Sequence, residues 1–231
     1  MKKRIVIVAL LVCILVLSIA STTIAYFTDT KQAENVFTAG EVKIQLTEAP
    51  VKVEDANANG TQNIVKADGN RLVNAGIDYT TVRALYPGQT VYKDPTIENI
   101  GSEDAYVAAI IKVSGAEGLV DKTSVLEFLT GGIIHGADTE YYDLGNDVYA
   151  VYVIYETALA AKNGDTVDSV TIFDTVTIPA EWDNAEMAKI ADLKITVDAY
   201  AVQAVGFANA KDAIKAAWGA EAGQPFHNKF N

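Results

Sequence analysis

Apolar side chains recur at every second position along several short stretches of this chain. Val42, Ile44 and Leu46 alternate with Lys43, Gln45 and Thr47, the period of a strand with one buried face. Val170, Ile172, Val176 and Ile178 repeat the pattern against Thr171, Thr175 and Thr177, with Asp174 as the polar residue on the apolar side. Ile195, Val197, Ala199 and Ala201 make a third case. Residues 106–113 and 148–155 are apolar on both faces. Such runs predict central strands, covered on both sides or lying in a closed sheet.

Turn and helix signals fit between these runs. Pro87-Gly88 suits a type II turn, because Pro fixes φ and Gly accepts a positive φ. Asn163-Gly164 lies between two strand-like runs and signals a hairpin. Gly101 and the Gly131-Gly132 pair mark further breaks. Residues 54–70, rich in Asn, Asp, Gly and Lys, predict a surface loop, and 71–79 reads as strand or more loop. Short helices are expected near 123–129, 180–191 and 209–218. The last is best marked: Asn209 can cap it, Asp212 follows three residues on, and Ala213, Ile214, Ala217 and Trp218 form one apolar stripe. Strands dominate and helices interrupt, which predicts an all-β fold, an antiparallel β-sandwich with a few short helices.

The first residues change the picture. Lys2, Lys3 and Arg4 precede an apolar run over 5–19, and small residues follow. Thr23 and Ala25 fit the minus-three and minus-one pockets of a signal peptidase, so residues 1–25 read as a signal peptide cut between Ala25 and Tyr26. An uncleaved anchor is the competing reading, but the run is short against the about 20 apolar residues that span a bilayer core. Cys13, the single cysteine, sits inside the apolar run behind the branched Val12 and not at a lipidation site. The expected organisation is a signal peptide at 1–25, an extended segment at 26–40 and a β-sandwich domain at 41–231.

Cleavage removes three basic residues and leaves 206 positions, 231 less 25, with 15 basic side chains, 18 less 3, against 30 acidic ones. That balance argues against nucleic-acid binding, which needs a basic footprint, and against adhesion to anionic lipid after cleavage. With no cysteine in that part, no disulfide holds it and the core must.

Reactive groups do not converge in the sequence. The two histidines, His135 and His227, stand apart: one in a Gly-rich stretch, the other in a polar tail. Neither belongs to an H-E-x-x-H arrangement. No G-x-S-x-G elbow, Walker loop or G-x-G-x-x-G is present, and no cofactor is expected. The string Asp55-Ala56-Asn57-Ala58-Asn59-Gly60 matches the first half of an EF-hand loop, but the position for the bidentate acid falls on Lys66, whose cation repels calcium. Tyr141, Tyr142, Tyr149, Tyr152 and Tyr155 cluster, which reads either as a sticky interface or as strand propensity and core packing.

Three blocks carry a resemblance. They are Ile24-Ala25-Tyr26-Phe27-Thr28-Asp29-Thr30 with the run 35–42, Tyr86-Pro87-Gly88-Gln89-Thr90 leading to Asn99-Ile100-Gly101, and the run 200–207 followed by Ala217-Trp218. Together they resemble the exported proteins processed by a SipW-type signal peptidase, the group of TasA and the camelysins. The resemblance implies a jelly-roll β-sandwich, secretion to the extracellular matrix or cell surface, and a biofilm fibre. It implies assembly in which the N-terminal segment of one subunit, through Tyr26, Phe27, Val36 and Phe37, adds as a strand to the next, giving a head-to-tail homopolymer. The SipW-type peptidase and other matrix proteins are the implied partners. Camelysins have been classed as metalloproteases, so a cell-surface metalloendopeptidase is the alternative, although the residues supply no recognisable zinc motif. A monomeric surface-binding module, suggested by the tyrosines, is the third reading.

Overall fold

The alternating stretches form strands: 195–201 lies within the ten-residue strand Lys194–Gln203, while 170–178 splits into two strands where the chain changes sheet around Asp174. The computed structural model describes residues 40–54, 63–73, 85–116, 137–190 and 192–230, all within the compact unit Gly40–Asn231. The expected helix at 123–129, the Gly131-Gly132 pair, His135, the string 55–60 and everything before residue 40 lie outside the described residues.

The strands are β1 Ile44–Glu48, β2 Val51–Val53, β3 Ile64–Lys66, β4 Leu72–Val73, β5 Thr90–Tyr92, β6 Thr96–Asn99, β7 Ala105–Ser114, β8 Ala137–Asp143, β9 Tyr149–Tyr155, β10 Asp168–Thr171, β11 Thr175–Thr177 and β12 Lys194–Gln203. The helices are α1 Asn184–Lys189, α2 Ala210–Trp218 and α3 His227–Phe230. Among the described residues strands dominate, consistent with an all-β protein with short helices. The sheets run β10-β6-β1-β4, β11-β5-β3-β2 and β12-β7-β9-β8. Pairing is antiparallel except where β3 lies parallel to β5 at Ile64 and Val91, a departure from the purely antiparallel expectation.

The first two sheets form one ribbon bent at a corner. β5 and β6 are separated by Lys93, Asp94 and Pro95, and beside them β10 and β11 are separated by Ile172, Phe173 and Asp174. The Lys93 N–H donates to the Asp174 carbonyl at 3.1 Å and the Ile172 N–H to the Pro95 carbonyl at 2.8 Å, so both chains bend together. The alternation over 170–178 therefore makes two strands and not one. Ile172 and Phe173 are adjacent and both buried in the same core, which a continuous pleat cannot arrange, because its neighbours face opposite sides.

A polar network pins that corner. The Asp94 side chain, 5% exposed, accepts hydrogen bonds from the Ala49 N–H at 2.7 Å, Arg71 Nη1 at 2.7 Å and the Tyr92 hydroxyl at 3.0 Å. Arg71 Nη2 also donates to the Asp94 carbonyl and to Thr96 Oγ1, and its Nε donates to Thr47 Oγ1. Burial first, then the Asp94 hydrogen bond, push the Tyr92 phenol up to about 12.

The third sheet has two buried faces. Val107, Ala109, Ile111 and Val113 of β7, with Val151 and Val153 of β9, join a core lined by residues of all three sheets. Ala108, Ile110, Ala150, Tyr152 and Ile154 face the other way, onto Ala210 and Ile214 of α2 and onto Phe226. The two runs apolar on both faces are thus central strands covered on both sides, as their composition predicts.

Local details correct or sharpen the sequence reading. The Tyr86 carbonyl accepts from the Gln89 N–H at 3.1 Å, with Gly88 at φ +75°, so the Pro-Gly turn forms. Asn163 and Thr166 exchange backbone hydrogen bonds around Gly164 at φ +59°, but the flanking β9 and β10 lie in different sheets, so the turn closes no hairpin. Residues 54–70 are not all loop: β-branched Ile64 and Val65 belong to β3, which pairs with β2, and Ile64 is 2% exposed. The helix expected at 180–191 starts only after Asp183, which caps α1 in a capping box with Glu186 and leaves Trp182 outside. Asn209 caps α2 as expected, accepting from the Asp212 N–H at 2.9 Å. The polar tail is packed: Phe226 is fully buried, its N–H donates to the Trp218 carbonyl, and His227 opens α3.

Candidate functional site

A strand gains affinity for another strand from an unpaired backbone edge and selectivity from the side chains along it. β12 pairs with β7 over its whole length, from Lys194 opposite Ser114 to Gln203 opposite Ala105. On its other side no described strand follows. The eight positions between Lys194 and Gln203 are all partly buried, neither covered nor bare. Ile195, Val197, Ala199 and Ala201 pack against the core shared by the sheets, and Tyr200 and Val202 against the second core. Both cores therefore reach solvent along this rim.

The rim is stiff at one end and charged in the middle. Tyr200 meets Trp218 of α2 edge-on at 5.6 Å and Phe226 at 5.2 Å between ring centroids. Asp198 accepts from Lys112 Nζ at 2.9 Å, with side chains 47% and 39% exposed. That hydrogen bond raises the Lys112 ammonium above the ordinary lysine value.

The opposite edge of the same sheet is guarded. Lys229 of α3, its side chain 1% exposed, reaches Asp138 and Glu140 of β8 at 3.3 Å each, and Lys211 of α2 reaches Asp138 at 3.5 Å. Charges held on an edge strand discourage pairing. β8 is thus crowded with charge where β12 carries a single carboxylate between its ends.

The tyrosine cluster divides between the two cores. Tyr141, Tyr149 and Tyr155 belong with the first, Tyr142 and Tyr152 with the second. Tyr142 and Tyr152 stack edge to face at 4.9 Å, and burial followed by a hydrogen bond to Glu140 pushes the Tyr142 phenol up to about 12. These rings contribute packing on both faces of the sheet.

The residues singled out at the N-terminus, Thr23, Ala25, Tyr26, Phe27, Val36 and Phe37, lie outside the described residues. Lys66 lies on β3 opposite Val51. Among the described residues, no group of three or more His, Cys, Asp or Glu is placed to hold a metal ion, and no helix is long and apolar enough to cross a membrane. Periodicity found β12 but not its position at a sheet margin, because strand order is a tertiary property. No family model, curated protein or solved structure matches this chain.

Proposed function

We propose that this chain is an exported structural subunit of an extracellular fibre or biofilm matrix. Its described domain would be a jelly-roll-like β-sandwich, and the segment beginning at Tyr26, freed by cleavage after Ala25, would add as a strand to a neighbouring subunit. The observation that carries the reading is the β12 edge, ten residues long, with no described strand on one side and flanked by two partly exposed cores. A donated strand satisfies such an edge with main-chain hydrogen bonds and dries the rim. The contact is head-to-tail, so it propagates instead of closing.

The test compares residues 27–231 with residues 38–231 by electron microscopy and by size-exclusion at rising concentration. The longer form is expected to make filaments and the shorter one to stay unassembled. Equal filament formation by both removes the donated strand. A monomer at all concentrations for both favours a monomeric surface-binding module.

A further inference from the structure

Between its ends, β12 reads Ile-Thr-Val-Asp-Ala-Tyr-Ala-Val, and Asp198 is its one charge. The carboxylate is bound to Lys112 of β7, which lies opposite Thr196, so the pair runs diagonally across the sheet. Nearly half of the Asp198 side chain is open to solvent. A charge in that place decides what can lie alongside.

A second β12 fits badly. Two edges related by a two-fold axis perpendicular to the sheet place a residue opposite its own copy, and for residues 194–203 the registers with most pairs centre on 198 or 199. Centred on 198, the two carboxylates stand directly opposite, with Cβ atoms about 4.5–5.5 Å apart. Centred on 199, each Asp198 faces Tyr200 and lies diagonally from its copy at about 7–8 Å. Both separations are within the Debye length of about 8 Å at physiological salt, so like charges oppose closure either way.

The N-terminal segment fits better. Residues 26–35 carry Asp29, Lys31 and Glu34, and Lys31 is the one basic side chain of residues 26–40. Laid antiparallel with Lys31 opposite Asp198, Tyr26 falls opposite Gln203 and Asn35 opposite Lys194. The ten residues after the expected cut, 26–35, thus match the ten of β12 from end to end. Phe27 then meets Val202, beside the Tyr200 and Trp218 rings at the rim of the second core. Thr28 and Thr30 meet Ala201 and Ala199, small against small. Asp29 meets Tyr200 and lies diagonally from Asp198 at about 7–8 Å, but Lys31 stands directly opposite Asp198 at about 4.5–5.5 Å, so the nearer, opposite charge outweighs the farther, like one. The parallel alignment through the same charge pair sets Phe27 against Lys194 instead.

The geometry points to Asp198 as the residue that selects the partner of the β12 edge: it turns away a second β12 and accepts residues 26–35 of another copy, antiparallel, with Lys31 opposite it. This inference rests on the fibre reading above and adds its register and its selector.

Charge exchange tests it on the chain from residue 26. Asp198→Lys and Lys31→Asp are each expected to raise the critical concentration for filaments on the order of tenfold, and the double variant to restore it. Asp198→Asn and Lys31→Gln, milder changes, should each give a smaller rise in the same direction. Melting temperatures establish that every variant is folded. Filaments indifferent to the single changes, or a double variant no better than either, overturn the register while leaving fibre formation standing. A wild-type chain that makes no filaments overturns both. In residues 38–231, Asp198→Thr is expected to move the sedimentation coefficient towards a dimer, and an unchanged monomer overturns the exclusion of a second β12.

Discussion

Replacing Asp94 by alanine should unfasten the corner that joins the first two sheets. The carboxylate is nearly sealed, and three donors depend on it: the backbone N–H of Ala49, Arg71 Nη1 and the Tyr92 hydroxyl. Ala49 is 1% exposed, so its N–H loses a partner it cannot replace with water, at about 1–3 kcal/mol. Separating a fully buried ion pair costs about 3–5 kcal/mol. Arg71 is 30% exposed and keeps Thr47, Thr96 and the Asp94 carbonyl, so the lower end of that range applies. The expected destabilisation is therefore about 3 kcal/mol, with Asp94→Asn costing roughly half because an amide oxygen still accepts from Ala49. Urea unfolding of residues 38–231 measures both, and an unchanged m-value shows that the surface exposed on unfolding is the same. A loss under about 1 kcal/mol for Asp94→Ala, or an equal loss for Asn and Ala, refutes the claim that a buried charge pair pins the bend.

Two further outcomes follow from the packing and the phenols. Phe226→Ala should cost about 3–5 kcal/mol in thermal or urea unfolding, because the ring is fully buried against Tyr152 and Tyr200. Tyr92 and Tyr142 have their phenols raised from 10.0 to about 12, so the stability they contribute is fully present below pH 10 and drains away as pH rises through 12. Urea midpoints across that window should fall with pH, and Tyr92→Phe should flatten its share of the slope.

Much of the third sheet was legible from periodicity, because β7 and β9 are apolar on both faces and β12 alternates without interruption. Asn209 announced its helix, since cap chemistry is local. The ribbon was harder. Val170, Ile172, Val176 and Ile178 alternate in a pattern that reads as one strand, and only the paired segment bending at Lys93 to Pro95 shows why Ile172 and Phe173 both point inward. Ile64 lay hidden in a polar neighbourhood whose composition outweighed two β-branched residues. Arg71 opens a stretch that reads as strand or more loop, and nothing local marks it for the corner, because its partners Thr47, Asp94 and Thr96 are distant in sequence. The β12 margin was invisible for the same reason: alternation identifies a strand, whereas its neighbours are chosen by the whole fold.

The second core has a bearing on how the chain is made. Ile110, Tyr152 and Ile154 are covered by α2 and Phe226, which come well after β7 and β9 along the chain. Ribosomes add about 5–20 residues per second from the N-terminus, so β7 and β9 exist for some seconds with one face bare. A nascent chain broken off before residue 210 keeps that greasy face permanently, and surveillance proteases read such faces. Closure of the second core is thereby tied to the synthesis of residues 210–226.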